Sequence, residues 1–278
     1  MAEATRVPDE TPGTGATHGG RGSLSAQRAR HQKIAEAVIK RGAMSVEALA
    51  SSAGVSLMTI YRDVAALEEA GIVQRQRGQV LAVASSLQEA SAGFRLEQNA
   101  PVKQAMAEVL APLVQPGSSV MLDDSTSGVW LLRALENVSP LTVVTNSLLA
   151  AQELERRDDV RLFVLGGEYQ PWAQSMMGPS TVAAIEAMHA DFCVVSASGI
   201  VDGHCMHPYE DVVEVKKAMM RAASTKVLVI DHSKFARRAL HAFAALTDFD
   251  VVVVDAATPR ATREALAAEG VQVLVASL

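Results

Sequence analysis

From residue 119 onward, short runs of apolar, mostly β-branched residues alternate with stretches of helical periodicity, and this alternation constrains the fold more than any other feature. The runs fall at 119–122, 141–145, 160–165, 192–196, 226–230, 251–254 and 271–275, with helices predicted near 127–137, 147–157, 179–189, 209–223 and 259–269. Strands that are apolar at nearly every position are buried on both faces, as in a mainly parallel sheet with helices on each side. Residues 101–278 therefore read as an α/β domain. It opens with a helix from about 101 to 114 that carries Pro101 in its first turn and stops at Pro116-Gly117. In such sheets ligands bind beyond the carboxyl ends of the strands.

Residues 23–83 follow a different pattern. A helix with Ile34, Val38 and Ile39 on one face ends near Arg41-Gly42. Ser45 caps a second helix that Ala53-Gly54 ends, and Ser56 caps a third whose inward residues are Ile60, Val64 and Leu67. Two β-prone runs flank Arg77-Gly78-Gln79, a hairpin signal. Three helices and a hairpin make a winged helix-turn-helix, whose third helix enters the major groove of double-stranded DNA. Its exposed face presents Ser56, Met58, Thr59, Tyr61 and Arg62, and Arg75 and Arg77 on the wing lie over backbone phosphate.

Charge supports this division. Residues 21–83 hold nine Lys/Arg against five acids, although the whole chain carries a net charge of −6. A basic block beside an acidic one is what a DNA reader joined to a domain that does not bind DNA should show. Residues 84–100 are Ser/Ala/Gln-rich and read as a linker, and 1–22 read as a disordered tail. With 4% aromatic residues there is little stacking surface for single strands. No apolar run reaches the roughly 18–20 residues a membrane span needs, and residues 1–20 lack the apolar segment of a secretory signal. Two cysteines, Cys193 and Cys205, make no disulfide framework and fit the cytoplasm.

The chemistry of the second domain gathers at strand ends. Asp123-Asp124-Ser125-Thr126-Ser127 opens a helix whose hydroxyls and N–H groups form an anion site. Thr145-Asn146, Gly166-Gly167 and Ser198-Gly199 follow three further runs and are expected to line the same cleft. Lys234 supplies charge against a phosphate, Lys216 lies on the helix after Glu210, and Glu210 accepts from a sugar hydroxyl. His204, Cys205 and His207 match no established metal spacing, and no metal or other cofactor is expected.

Taken together these motifs resemble the DeoR family of bacterial transcriptional regulators over residues 28–275. The reader matches at Val55-Ser56 and Thr59-Ile60-Tyr61-Arg62-Asp63-Val64. The sensor matches at Leu122-Asp123, Thr126, Leu141-Thr142-Val143-Val144-Thr145-Asn146-Ser147, Gly166-Gly167, Gly178-Pro179, Ser198-Gly199, Val215-Lys216-Lys217-Ala218-Met219 and Asp231-His232-Ser233-Lys234-Phe235. The resemblance implies a repressor of a carbohydrate-utilisation operon, released by a phosphorylated sugar, that assembles as a homo-oligomer, dimer or tetramer. It also implies a sensor similar to the ribose-5-phosphate isomerase and glucosamine-phosphate deaminase fold. On that reading Thr126, Ser127 and Lys234 hold the phosphate, while Asp123, Asn146 and Glu210 contact hydroxyls. The alternatives are an isomerase- or deaminase-like enzyme with an added DNA-binding module, and an activator of the same architecture. Two positions depart from the family pattern. Tyr61 stands where an arginine is usual, which implies a different operator preference and a shallower salt dependence. Asp124-Ser125 replaces Ser-Gly, and a carboxylate there disfavours an anion unless it turns outward or grips a hydroxyl or amine.

Overall fold

The computed structural model describes residues 20–82 and 89–278. The tail expected over 1–22 lies outside the described residues as far as residue 19, and Gly20 to Gly22 instead open the first helix, α1 (Gly20–Arg41). After a short strand β1 (Ala43–Ser45), Ser45 caps α2 (Val46–Ala53) by accepting from the Ala48 amide at 3.1 Å, and Gly54 stops it in the left-handed conformation. Ser56 caps α3 (Leu57–Glu69) through the Thr59 amide at 3.3 Å. Strands β2 (Val73–Gln76) and β3 (Gln79–Ala82) form the wing, and β1 adds to β3 to give a three-stranded sheet. Ile34, Val38, Leu49, Ile60, Val64 and Leu67 close one core.

A charge lies inside that core. Asp63 is 1% exposed and accepts from Arg30 Nε at 2.5 Å and Nη2 at 3.1 Å, with His31 Nε2 at 2.8 Å. Burial alone would raise its pKa, but the hydrogen bonds from Arg30 and His31 outweigh burial and hold it below the ordinary carboxylate value. This pair fixes α1 against the back of α3.

Within the stretch expected as a linker, residues 92–97 form helix α4 (Ala92–Glu97), and α5 (Ala100–Leu110) starts one residue before the predicted helix. The reason is apolar anchoring: Phe94 packs on the DNA-reader core and Leu96 on the core of the second domain.

The second domain carries a seven-stranded sheet. Its strands are β4 (Ser119–Leu122), β5 (Leu141–Thr145), β6 (Val160–Val164), β9 (Ala190–Val195), β12 (Ala223–Val229), β14 (Val251–Asp255) and β15 (Gln272–Ala276). Their order is β15-β14-β12-β9-β4-β5-β6, and every pairing is parallel. Alternate residues face opposite sides: Val120, Leu122, Val143 and Val253 enter one core, and Met121, Val144, Val252 and Val254 the other. Helices α5, α6 (Thr126–Ala134) and α7 (Leu148–Glu153) cover the first side, and α8 (Pro179–Glu186), α9 (Glu210–Arg221) and α10 (Arg260–Ala268) the second. None of the described helices is long and apolar enough to cross a membrane.

Two small antiparallel sheets were not predicted. One pairs β7 (Glu168–Gln170) with β8 (Ser175–Met177); the other joins β10 (Gly199–Val201), β11 (His204–His207) and β13 (His241–Ala245). Strand β4 lies between β5 and β9, so the order of connection reverses there, and a crevice opens beyond the ends of β4 and β9.

Gly167 shows how tightly the loop after β6 is seated. A Cβ there would overlap Thr181 Oγ1 and stand 2.6 Å from the Met177 carbonyl oxygen, while Thr181 Oγ1 donates to the Gly166 carbonyl at 2.8 Å. Gly167→Ala should therefore lower stability by about 1–3 kcal/mol through overpacking. A thermal melt that superimposes on the wild type would refute this packing.

Candidate functional site

The reader face is assembled by α3 and the wing. Met58 is 65% and Tyr61 44% exposed, and Ser56 and Arg62 are exposed beside them. Thr59 is half-buried, its hydroxyl 3.0 Å from Ser56 Oγ. Arg77 lies exposed at the wing tip, its backbone turning with Gly78 at positive φ. Arg75 is exposed but engaged: its Nε donates to Glu68 Oε2 at 2.6 Å, which ties the wing to α3.

The second site lies in the crevice at the reversal point. Asp123, directly after β4, has no exposed surface. Its oxygens accept from the Ser125 amide at 2.9 Å, the Ser196 amide at 3.1 Å and Lys216 Nζ. Lys216 reaches it from α9 and also lies 3.4 Å from Asp124 Oδ1, whose other oxygen lies 3.5 Å from Arg95 of α4. Burial opposes the ammonium of Lys216, but Asp123 and Asp124 overcome it and hold its pKa above the ordinary lysine value. Burial likewise opposes ionisation of Asp124, and Lys216 and Arg95 outweigh it and hold its pKa down. Asp124 thus grips an amine.

Around this pair the other groups converge. Ser125 caps α6 through the Gly128 amide at 3.3 Å, and Thr126 and Ser127 form its buried first turn. Lys103 of α5 donates to Thr126 Oγ1 at 2.9 Å and to the Arg95 carbonyl. Burial, then the positive charges of Lys234 and Arg95, push its pKa down to about 7. Lys234, after β12, is also pushed down, by burial first and Arg237 next, against the opposing pull of Glu89. His207 accepts from the Tyr209 amide at 3.2 Å and falls to about 4 through burial and the charge of Lys216, so it is neutral near pH 7. These residues, with Ser198, Asp231 and Ser233, line a pocket whose cavity measures about 40 Å³, room for roughly three waters.

The structure brings Ser125, Thr126, Ser127, Ser198, Lys216 and Lys234 together on this pocket. Asp123 stands directly behind it, its oxygens turned to Lys216 and two backbone amides rather than to the opening. The remaining expected residues do not line it. Thr145 Oγ1 donates to the Leu122 carbonyl at 2.9 Å and Asn146 Nδ2 to the Met176 carbonyl at 2.8 Å. Gly166 and Gly167 pack against Thr181, Gly199 lies where a Cβ would overlap the Arg237 carbonyl, and Glu210 is exposed at the start of α9. Cys205 is buried in a core, whereas His204 is exposed. Sequence reasoning missed Glu89, Arg95, Lys103, His207 and Asp231. Lys103 gave one signal, a lysine four residues into a helix whose neighbours Met106 and Ala107 are apolar.

Removing Lys216 tests the electrostatics. Lys216→Met strands two buried carboxylates, and breaking such a pair costs about 3–5 kcal/mol. In the wild type, Asp124 contributes stability that is complete above its unfolded value of about 3.9 and lost as the pH falls through its lower folded value. In the variant a carboxylate takes up a proton on folding, so the gap in melting temperature should narrow from about pH 8 to about pH 5. A gap that stays constant over that range would refute the assignment.

Comparison with known proteins agrees with this architecture. Residues 30–86 match the DeoR-like helix-turn-helix domain and residues 98–256 the DeoR C terminal sensor domain. The chain is 31% identical over 247 residues to the uncharacterized HTH-type transcriptional regulator YgbI of Escherichia coli, covering 89% of this chain and 97% of that one. It is 30% identical to the glycerol-3-phosphate regulon repressor of the same organism (88% of this chain, 98% of the other). With the transcriptional repressor AccR of Agrobacterium fabrum the identity is 29% (82% and 90%). Among solved structures, ribose 5-phosphate isomerase A of Methanocaldococcus jannaschii aligns at 15% identity with a TM-score of 0.36, covering 50% of this chain and 55% of that one. With its reader and its sensor both matched in order along the chain, this protein belongs to the DeoR family of helix-turn-helix transcriptional regulators.

Proposed function

We propose that the chain is a repressor of a carbohydrate-utilisation operon that leaves its DNA when a phosphorylated sugar enters the sensor pocket. The observation that carries this reading is the convergence of Lys103 and Lys234 on the first turn of α6. Among the described residues neither lysine has a carboxylate within ion-pair distance, whereas Lys216 has two. The buried Lys103 and the half-buried Lys234, both held below the ordinary lysine pKa, lie beside hydroxyls and a helix N-terminus, and a dianionic phosphate there would draw both to the charged form. Kinship with a protein named the glycerol-3-phosphate regulon repressor supports the same ligand class.

The pocket is read as binding rather than catalytic. Asp123 and Lys216 neutralise one another and leave neither free as a base. The chain is also read as a cytoplasmic homo-oligomer, since paired reader helices suit two-fold operators.

The test is DNA binding by fluorescence anisotropy on fragments upstream of the regulated genes, across phosphosugars and their dephosphorylated counterparts. A phosphosugar should weaken binding, and Lys234→Ala should abolish that response while leaving DNA affinity intact. If only an unphosphorylated polyol acts, the phosphate reading fails. On the reader, Arg62→Ala should cost about 1–3 kcal/mol of binding by removing a base contact. Unchanged binding would take Arg62 off the DNA face.

A further inference from the structure

The sensor pocket is partly filled by the chain's own connecting segment. Glu89 enters it and is 6% exposed. One oxygen accepts from Ser198 Oγ; the other, Oε1, is buried with no hydrogen-bond partner and lies 3.6 Å from Arg237 Nη2. Lys234, Arg237 and Arg95 all act on this carboxylate as positive charges. It therefore occupies the same field that would hold an anionic ligand, and holds it with fewer hydrogen bonds than a phosphate, which presents three strong acceptor oxygens.

The same segment touches the DNA reader. The Ser91 amide donates to the Ala70 carbonyl, at the end of α3, at 3.1 Å, and Ala90 and Phe94 pack on the reader core. On the sensor side the Ala92 amide donates to the Trp172 carbonyl at 2.7 Å, and Trp130 Nε1 donates to the Leu96 carbonyl at 3.2 Å. Glu89 and Arg95 both line this cavity of about 40 Å³, so the anionic group of a ligand and the Glu89 carboxylate would share one small space.

We propose that Glu89 is a built-in competitor for the anionic group of the effector, and that its expulsion pulls residues 89–97 off the end of α3 and so passes ligand binding to the DNA reader. The proposal rests on the reading of the pocket as an anion site. A ligand shifts such an equilibrium only by its differential affinity for the two arrangements, and here the difference is the presence of Glu89 in the pocket.

The experiment uses the full chain, with inorganic phosphate as the probe. Calorimetric titration should show Glu89→Gln binding phosphate at least about tenfold more tightly than the wild type, because the competing charge is gone. In the wild type, saturating phosphate should strip the Ser91 and Ala92 amides of hydrogen-exchange protection. It should also shift the intrinsic fluorescence, since both tryptophans of the chain bond to this segment. Equal phosphate affinity in the two proteins overturns the competition while leaving the anion site standing. Binding by neither removes the anion site and the competition together. Should Glu89→Gln fail to fold, unchanged protection of Ser91 in phosphate-saturated wild type overturns the proposal by itself.

Discussion

Lys216, buried between Asp123 and Asp124, is the interaction on which the sensor depends. Burying three charges together is not a net source of stability, because desolvation consumes most of the attraction. What the triad supplies is geometry. Through Asp123 it clamps the end of β4 to the end of β9, through Lys216 it fixes the roll of α9, and through Asp124 it orients Arg95. It also settles the electrostatic question raised by the sequence. Asp124 looks hostile to an anion when read beside Asp123, yet both carboxylates face an ammonium. The field left for a ligand is then set by Lys103, Lys234 and Arg95, opposed chiefly by Glu89 and Asp231.

On the reader, the balance of charge is finer than a count of arginines suggests. Arg30 is committed to Asp63 in the core and Arg75 of the wing to Glu68 of α3, whereas among the described residues Arg62 of α3 and Arg77 of the wing are exposed and make no ion pair. Leu57, Met58 and Tyr61 are the exposed large apolar residues of α3. A face with few free cations has few groups to offer to phosphates, and neutralising fewer phosphates releases fewer counterions.

The regular elements were legible because their signals are local. The strands of the large sheet include runs such as Val251-Val252-Val253-Val254, and the second and third helices of the reader carry their own caps in Ser45 and Ser56. The small sheets were not, since strands of three to five residues such as β10 and β11 are too short to show a pattern, and β13 meets its partner β11 only from far along the chain. The site divides along the same line. Residues directly after β4, β9 and β12 reach the crevice because those strands flank the reversal point. Thr145 and Gly166 follow β5 and β6, on the other side, where identical turn chemistry serves packing. Glu89, Arg95 and Lys103 come from the connection and from α5, where a charged residue reads as solvated until tertiary structure buries it.

That connection explains how a pocket built at the far end of the sheet can bear on α3. Among the described residues, 89–97 are held to the reader by one backbone hydrogen bond and two apolar side chains. They are held to the sensor more firmly, by hydrogen bonds with Trp172, Trp130, Ser198, Lys103 and Thr126 and ion pairs with Arg237 and Asp124, so the reader side is the one a ligand can release. Contacts on this scale are worth about 0.5–1.5 kcal/mol per hydrogen bond, and coupling between sites is typically about 1–3 kcal/mol. The two scales match. A segment bound much more tightly could not be dislodged by a ligand of ordinary affinity, and one bound more loosely would transmit nothing. Placing the competing carboxylate on the segment itself removes the need for a relay through the sheet, whose close-packed core is poorly suited to graded movement.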